Sequence, residues 1–118
     1  MMDFKRWDFK RWDIVKIPIA PSMAEHRPAL VIVAGDIYKN QGLLWVLMIT
    51  SIRNKYWPGD IEIGDTVTAG LGVPSVIRTS KIITVEAVQA STIGTLEGPQ
   101  RKQVGEQVFA NMGITGAH

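Results

Sequence analysis

Apolar and polar positions begin to alternate at Asp13. Residues 14–19 put Val15, Ile17 and Ile19 on one face and Lys16 and Pro18 on the other, the two-residue period of a β-strand. Pro18 lacks a backbone donor, so this strand is expected at a sheet edge. Residues 29–34 and 43–50 are instead unbroken runs of β-branched and aliphatic side chains, with Gly35-Asp36 and Asn40-Gln41-Gly42 as turn material between them. The two runs are predicted to pair as a hairpin. Pro58-Gly59-Asp60 makes a turn, since proline presets φ and glycine tolerates positive φ, and a short strand follows over 61–63. The glycine-rich stretch 66–74 reads as irregular, and 75–78 and 81–85 as two further short strands. Helical spacing enters only near the end, where Val104, Val108 and Met112 recur at four-residue intervals. The predicted helix covers 99–111, with Pro99 in its first turn and Gly113 as its stop. Gly105 inside it costs about 1 kcal/mol relative to alanine, so this helix must draw stability from packing. Six or so short strands and one helix predict a small barrel or sandwich.

The first residues follow a different rule. Asp3-Phe4-Lys5-Arg6-Trp7 is repeated as Asp8-Phe9-Lys10-Arg11-Trp12, and a five-residue period gathers the repeated aromatics on one face of neither a strand nor a helix. Residues 1–9 are therefore expected to form a flexible, duplicated basic-aromatic segment, and 10–118 a single domain. A length of 118 residues suits one core. Without cysteine, disulfides, thiolate nucleophiles and Cys-based zinc sites are excluded, and with only His26 and His118 no dedicated metal site or other cofactor is expected. The longest apolar stretch, 43–49, is far short of the roughly 20 residues of a membrane span. The start is charged rather than signal-like, and a cytoplasmic protein is expected.

Net charge is +2, which permits an anionic partner without demanding one. Distribution says more. If the run that starts at Pro28 pairs antiparallel with the run that ends at Thr50, the beginning of one strand and the end of the other share one end of the sheet. His26, Arg27, Thr50, Ser51, Arg53, Lys55, Tyr56 and Trp57 then crowd one rim. A guanidinium offers phosphate a planar fork of donors, a hydroxyl can donate to a second phosphate oxygen, and aromatics stack on bases without regard to sequence. These are the groups that bind single-stranded RNA. RNA carries its own nucleophile in the 2′-hydroxyl, so a protein that orients it and stabilises charge on the phosphorus has most of what cleavage requires.

The stretches Lys10-Arg11-Trp12-Asp13-Ile14-Val15, His26-Arg27-Pro28-Ala29-Leu30-Val31-Ile32, Ile49-Thr50-Ser51, Pro74-Ser75-Val76-Ile77-Arg78 and Lys81-Ile82-Ile83-Thr84-Val85, in that order, resemble the MazF/PemK family of toxin endoribonucleases. The resemblance runs from Lys10 to about Ile114, with Ile93-Gly94-Thr95-Leu96 and the terminal helix in the expected places. It implies an SH3-like small β-barrel of about six to seven strands with a C-terminal helix, usually a homodimer. Its implied activity is metal-independent cleavage of single-stranded mRNA at short sequences, restrained by a cognate antitoxin. Arg27 matches the family's catalytic arginine and Thr50 its catalytic hydroxyl residue. Arg78 falls where some members carry a basic active-site residue, but the acid two positions later in those members is Ser80 here. The family's usual glycine before the first acidic residue is Trp12, and the loop before Arg27 lacks the Gly-His-Glu-Gln segment of many members.

Catalytic candidates are thus Arg27, Thr50 and Arg78, and RNA-binding candidates are His26, Ser51, Arg53, Lys55, Tyr56, Trp57 and Ser75. Two other readings share the fold: a gyrase-directed toxin that binds a protein target, and a non-catalytic RNA-binding barrel.

Overall fold

The computed structural model describes residues 8–114. Six strands form one sheet in the order β4-β5-β3-β2-β1-β6, curled into a half-barrel: β1 Asp13–Pro18, β2 His26–Val33, β3 Leu43–Ser51, β4 Ile61–Glu62, β5 Ser75–Glu86 and β6 Ser91–Thr95. Two helices accompany it, α1 Asp36–Gln41 and α2 Gln100–Asn111.

Both sheet faces are buried, which accounts for the unbroken apolar runs. Val15, Ile17, Ala29, Val31, Leu44, Val46 and Met48 pack in one cluster, and Ile14, Leu30, Leu47, Ile49, Ile77 and Val104 in another. Along β1, β2 and β3 successive residues therefore go to alternate cores. The second core is closed by α2, which packs on β4 and β5 and buries Val104 completely.

The predicted hairpin is present, with Ala29 opposite Met48 and Leu30 opposite Leu47. The segment joining its strands is helical where turn residues were read. α1 buries no residue, and Gly42 ends it at φ 67° while its N–H bonds the carbonyl of Tyr38. The expected edge position of the first strand is also corrected. β1 lies between β2 and β6, and Pro18 is tolerated because pairing with β6 has stopped at Lys16. The strands read at 75–78 and 81–85 are one strand with a bulge. Leu47 faces Ile82 while Met48 faces Arg78, so Thr79, Ser80 and Lys81 have no partners on β3.

The first copy of the duplicated pentapeptide lies outside the described residues. The flexible segment expected through residue 9 does not include Phe9, which is buried with its ring edge-on to Tyr38, centroids 5.9 Å apart. An apolar ring beside an apolar core leaves water, and the packed part of the chain takes in that residue.

The irregular stretch 66–74 is anchored at Asp65. The Thr68 hydroxyl, 2.6 Å away, and the Thr68 N–H hold its carboxyl below the usual carboxylate range, so the stability this turn adds at neutral pH fades as pH falls through that lowered value. The turn lays Ala69 against β6 at Gly94, where an added Cβ would stand 2.3 Å from the Ala69 carbonyl carbon and oxygen.

Candidate functional site

The register of β2 with β3 carries Arg27 and Thr50 to the same end of the sheet, two positions beyond the Ala29–Met48 pair. Arg27 shares a strand face with Ala29 and Val31, and Thr50 with Met48, so both belong to the face of the first core. There they line a depression of about 360 Å³ together with Arg78, Lys81, Asn54, Ile19, Met48 and Ile83. All three predicted catalytic residues meet in it.

Lys81 and Asn54 were not among the sequence candidates. Lys81 reaches the depression because the bulge at 79–81 re-aims β5, and that bulge is pinned from two sides. The buried Thr79 hydroxyl donates to the Gly59 carbonyl at 2.8 Å, and the Asn111 side-chain amide of α2 donates to the Thr79 carbonyl and hydroxyl oxygens at 3.2 Å. Asn54 comes back over the site through a turn in which its N–H donates to the Ser51 carbonyl at 3.0 Å. The Ser51 hydroxyl accepts the Arg53 N–H within the same turn, at 3.1 Å. The Asn54 side-chain amide then donates to the Thr50 hydroxyl.

Arg78 is the most tightly held of the cations. Its Nε and Nη2 donate to the two oxygens of Asp60 at 3.3 and 3.2 Å, Nη2 also donates to the Lys55 carbonyl at 2.6 Å, and the guanidinium carbon lies 4.2 Å from the centre of the Trp57 ring. The Asp60 side chain is 1% exposed and that of Arg78 11%. Asp60 in turn accepts the Trp57 N–H at 3.0 Å. One arginine thus ties the far end of the loop 52–60 to β5.

The remaining candidates separate. His26, at the start of β2, and Arg53, Lys55 and Tyr56, on the loop, are exposed and do not line the depression. Ser51 and Trp57 are taken up in holding the loop. Ser75 is a correction: it is buried, its hydroxyl donates to the Val73 carbonyl at 2.9 Å, and it does not face the depression. A hydroxyl following proline is satisfied by local backbone more readily than by a ligand.

Among the described residues the depression has three cationic side chains and no carboxylate in its wall. That arrangement favours a polyanion at the Thr50 hydroxyl. On the opposite face a separate apolar groove of about 460 Å³ is walled by Trp12, Trp45, Ile82, Val108, Phe109 and Met112. No helix in the described part of the chain is long and apolar enough to cross a membrane.

Residues 10–110 match the family described as PemK-like, MazF-like toxin of type II toxin-antitoxin system. No curated protein matches the sequence significantly. Among solved structures, MazE-MazF from Deinococcus radiodurans is 19% identical with a TM-score of 0.72, over 91% of this chain and 97% of that one. The Mycobacterium tuberculosis toxin MazF-mt6 is 17% identical with a TM-score of 0.69, over 87% and 98%. An endoribonuclease in complex with its cognate antitoxin from a mycobacterial species is 9% identical with a TM-score of 0.72, over 89% and 95%. At these identities the likeness is one of fold.

Proposed function

Because the chain belongs to the PemK-like, MazF-like toxins of type II toxin-antitoxin systems, we propose that it is an endoribonuclease that cuts single-stranded mRNA at the depression lined by Arg27, Thr50, Arg78 and Lys81. The observation that carries this reading is that those cations and the Thr50 hydroxyl share one depression whose wall, among the described residues, has no carboxylate. The RNA 2′-oxygen attacks phosphorus, forming the P–O2′ bond as the P–O5′ bond breaks. The 2′-hydroxyl gives up its proton and the departing 5′-oxygen takes one. Arg27 stays protonated throughout and stabilises the charge gathering on the non-bridging oxygens, while the Thr50 hydroxyl donates to the same phosphate. Lys81 adds a point charge there. Arg78, with two of its nitrogens engaged by Asp60 and Lys55 and its charge offset by that carboxylate, acts through the loop it braces. His26, Arg53, Lys55 and Tyr56 hold the RNA on either side of the scissile bond, with the ring of Tyr56, 67% exposed, free to stack on a base.

Two protein partners complete the proposal. A cognate antitoxin covers the basic rim in competition with RNA, as an acidic, partly disordered segment would. A second copy of the chain covers the apolar groove. The mRNA substrate places the activity in the cytoplasm.

Long single-stranded RNA incubated with the purified chain in EDTA tests the reading. Discrete new 5′ ends are expected, and Arg27→Ala should cut at least about 100-fold more slowly, as when an oxyanion-type donor is removed. Added antitoxin should abolish RNA binding. No cuts from folded, antitoxin-free protein would overturn the nuclease reading; binding that persists with antitoxin present would overturn occlusion of the rim.

A further inference from the structure

Thr50 has one proton to give and two lone pairs to offer, so a hydroxyl at the end of a strand can point its proton inward or outward. Its neighbours decide. The Asn54 side-chain amide nitrogen meets the Thr50 oxygen. An amide NH₂ only donates, and the hydroxyl is therefore the acceptor in this contact, which leaves its own proton for another group. The charged side chains of the depression, Arg27, Arg78 and Lys81, are donors without acceptor capacity, and Ile19, Met48 and Ile83 are apolar. The one acceptor among those side chains is the Asn54 amide oxygen, and it is the amide nitrogen that faces Thr50. In the free site water takes that proton, and an oxygen of the ligand replaces the water.

We propose that Asn54 is a positioning residue that fixes the Thr50 hydroxyl as a donor aimed into the depression. The inference rests on the reading that Thr50 contacts the scissile phosphate, and it adds what orients that contact. Asn54 suits the task because its own backbone is fixed: the Ser51 carbonyl accepts its N–H at 3.0 Å, and the Ser51 hydroxyl holds the intervening Arg53. The loop's other end is tied down by Arg78, Asp60 and Trp57. The bond spans four residues of one loop, so the strand end and the loop that leaves it form a single unit. Preorganised donors of this kind act on the transition state more than on the ground state. Loss of Asn54 should accordingly appear in kcat rather than in KM.

The test measures cleavage of one defined single-stranded RNA by the full chain, under steady-state and single-turnover conditions, for Asn54→Ala, Thr50→Val and the double variant. Asn54→Ala should lower kcat about tenfold with KM within twofold and with thermal unfolding unchanged, because Asn54 is exposed. The double variant should be no slower than Thr50→Val alone, since a residue that acts only through Thr50 has nothing left to orient. Three results would overturn the inference while leaving Thr50 in the site: wild-type kcat in Asn54→Ala, a rise in KM alone, or multiplicative losses in the double variant. Wild-type kcat in Thr50→Val would overturn the role of Thr50 itself and this inference with it. If Thr50→Val cleaves below detection, the split between kcat and KM in Asn54→Ala decides.

Discussion

The turn over residues 10–13 closes with the Asp13 N–H on the Lys10 carbonyl at 3.1 Å and places Trp12 at φ 81°. That is the third position of a turn of the kind that favours glycine there, which gives a physical reason for the glycine usual in the family at this point. A side chain in the left-handed region costs about 1–2 kcal/mol, and the indole must offset it by packing beside α2, where Arg101 lies 5.9 Å from its ring centre. Trp12→Ala keeps the strain and loses the ring, whereas Trp12→Gly loses both. The glycine variant should therefore be more stable than the alanine variant by about 1 kcal/mol in denaturant unfolding; equal stabilities would remove strain from the account. At the same scale, the sequence made Arg27 and Thr50 legible because antiparallel pairing of two clear strands is enough to bring them together. It could not reveal Lys81 or Asn54. Lys81 depends on three unpaired residues in β5, and Asn54 on a turn closed by Ser51, and neither leaves a hydrophobic period to read.

Elements repeat the contrast. The hairpin partners were legible because their apolar residues report burial directly, on two faces of β2 and β3, and α2 because Val104 and Val108 recur at helical spacing on the side that meets the second core. α1 was not, since six residues with none buried carry only a turn-like composition. β6 depends on a close approach instead. Its Gly94 accepts the backbone of Ala69 where no Cβ fits, and Gly70, at φ 75°, would meet the Ile93 carbonyl oxygen at 2.0 Å. Gly94→Ala must push the 66–74 stretch off β6 and should cost about 2 kcal/mol, the range of overpacked cores. Urea unfolding checks it, and a midpoint equal to that of the unsubstituted chain would mean that β6 and the stretch slide apart freely.

For the whole molecule, β5 joins the two surfaces. Lys81 and Ile83 line the basic depression, while Ile82 and Thr84, alternating with them, line the apolar groove on the other side. Chemistry then separates the partners. An acidic segment is drawn to the rim that carries Arg27, Arg53, Lys55 and Lys81, whereas the groove, with Arg11 its only charged wall residue among those described, suits the apolar self-complementary contact of a two-fold dimer. Trp45, Ile82, Phe109 and Met112 are each more than 40% exposed there in the single chain. Gly105 also lines the groove, yet nothing lies within 4 Å of where its Cβ would stand, so the helix stability it forgoes has no counterpart inside one chain. A second copy crossing α2 at that point would supply one. Trp45→Glu puts a charge in the wall of the groove without touching the depression, and it should convert a species of twice the chain mass into a monomer in sedimentation equilibrium. A native chain that sediments as a monomer at micromolar concentration would leave the groove to another occupant.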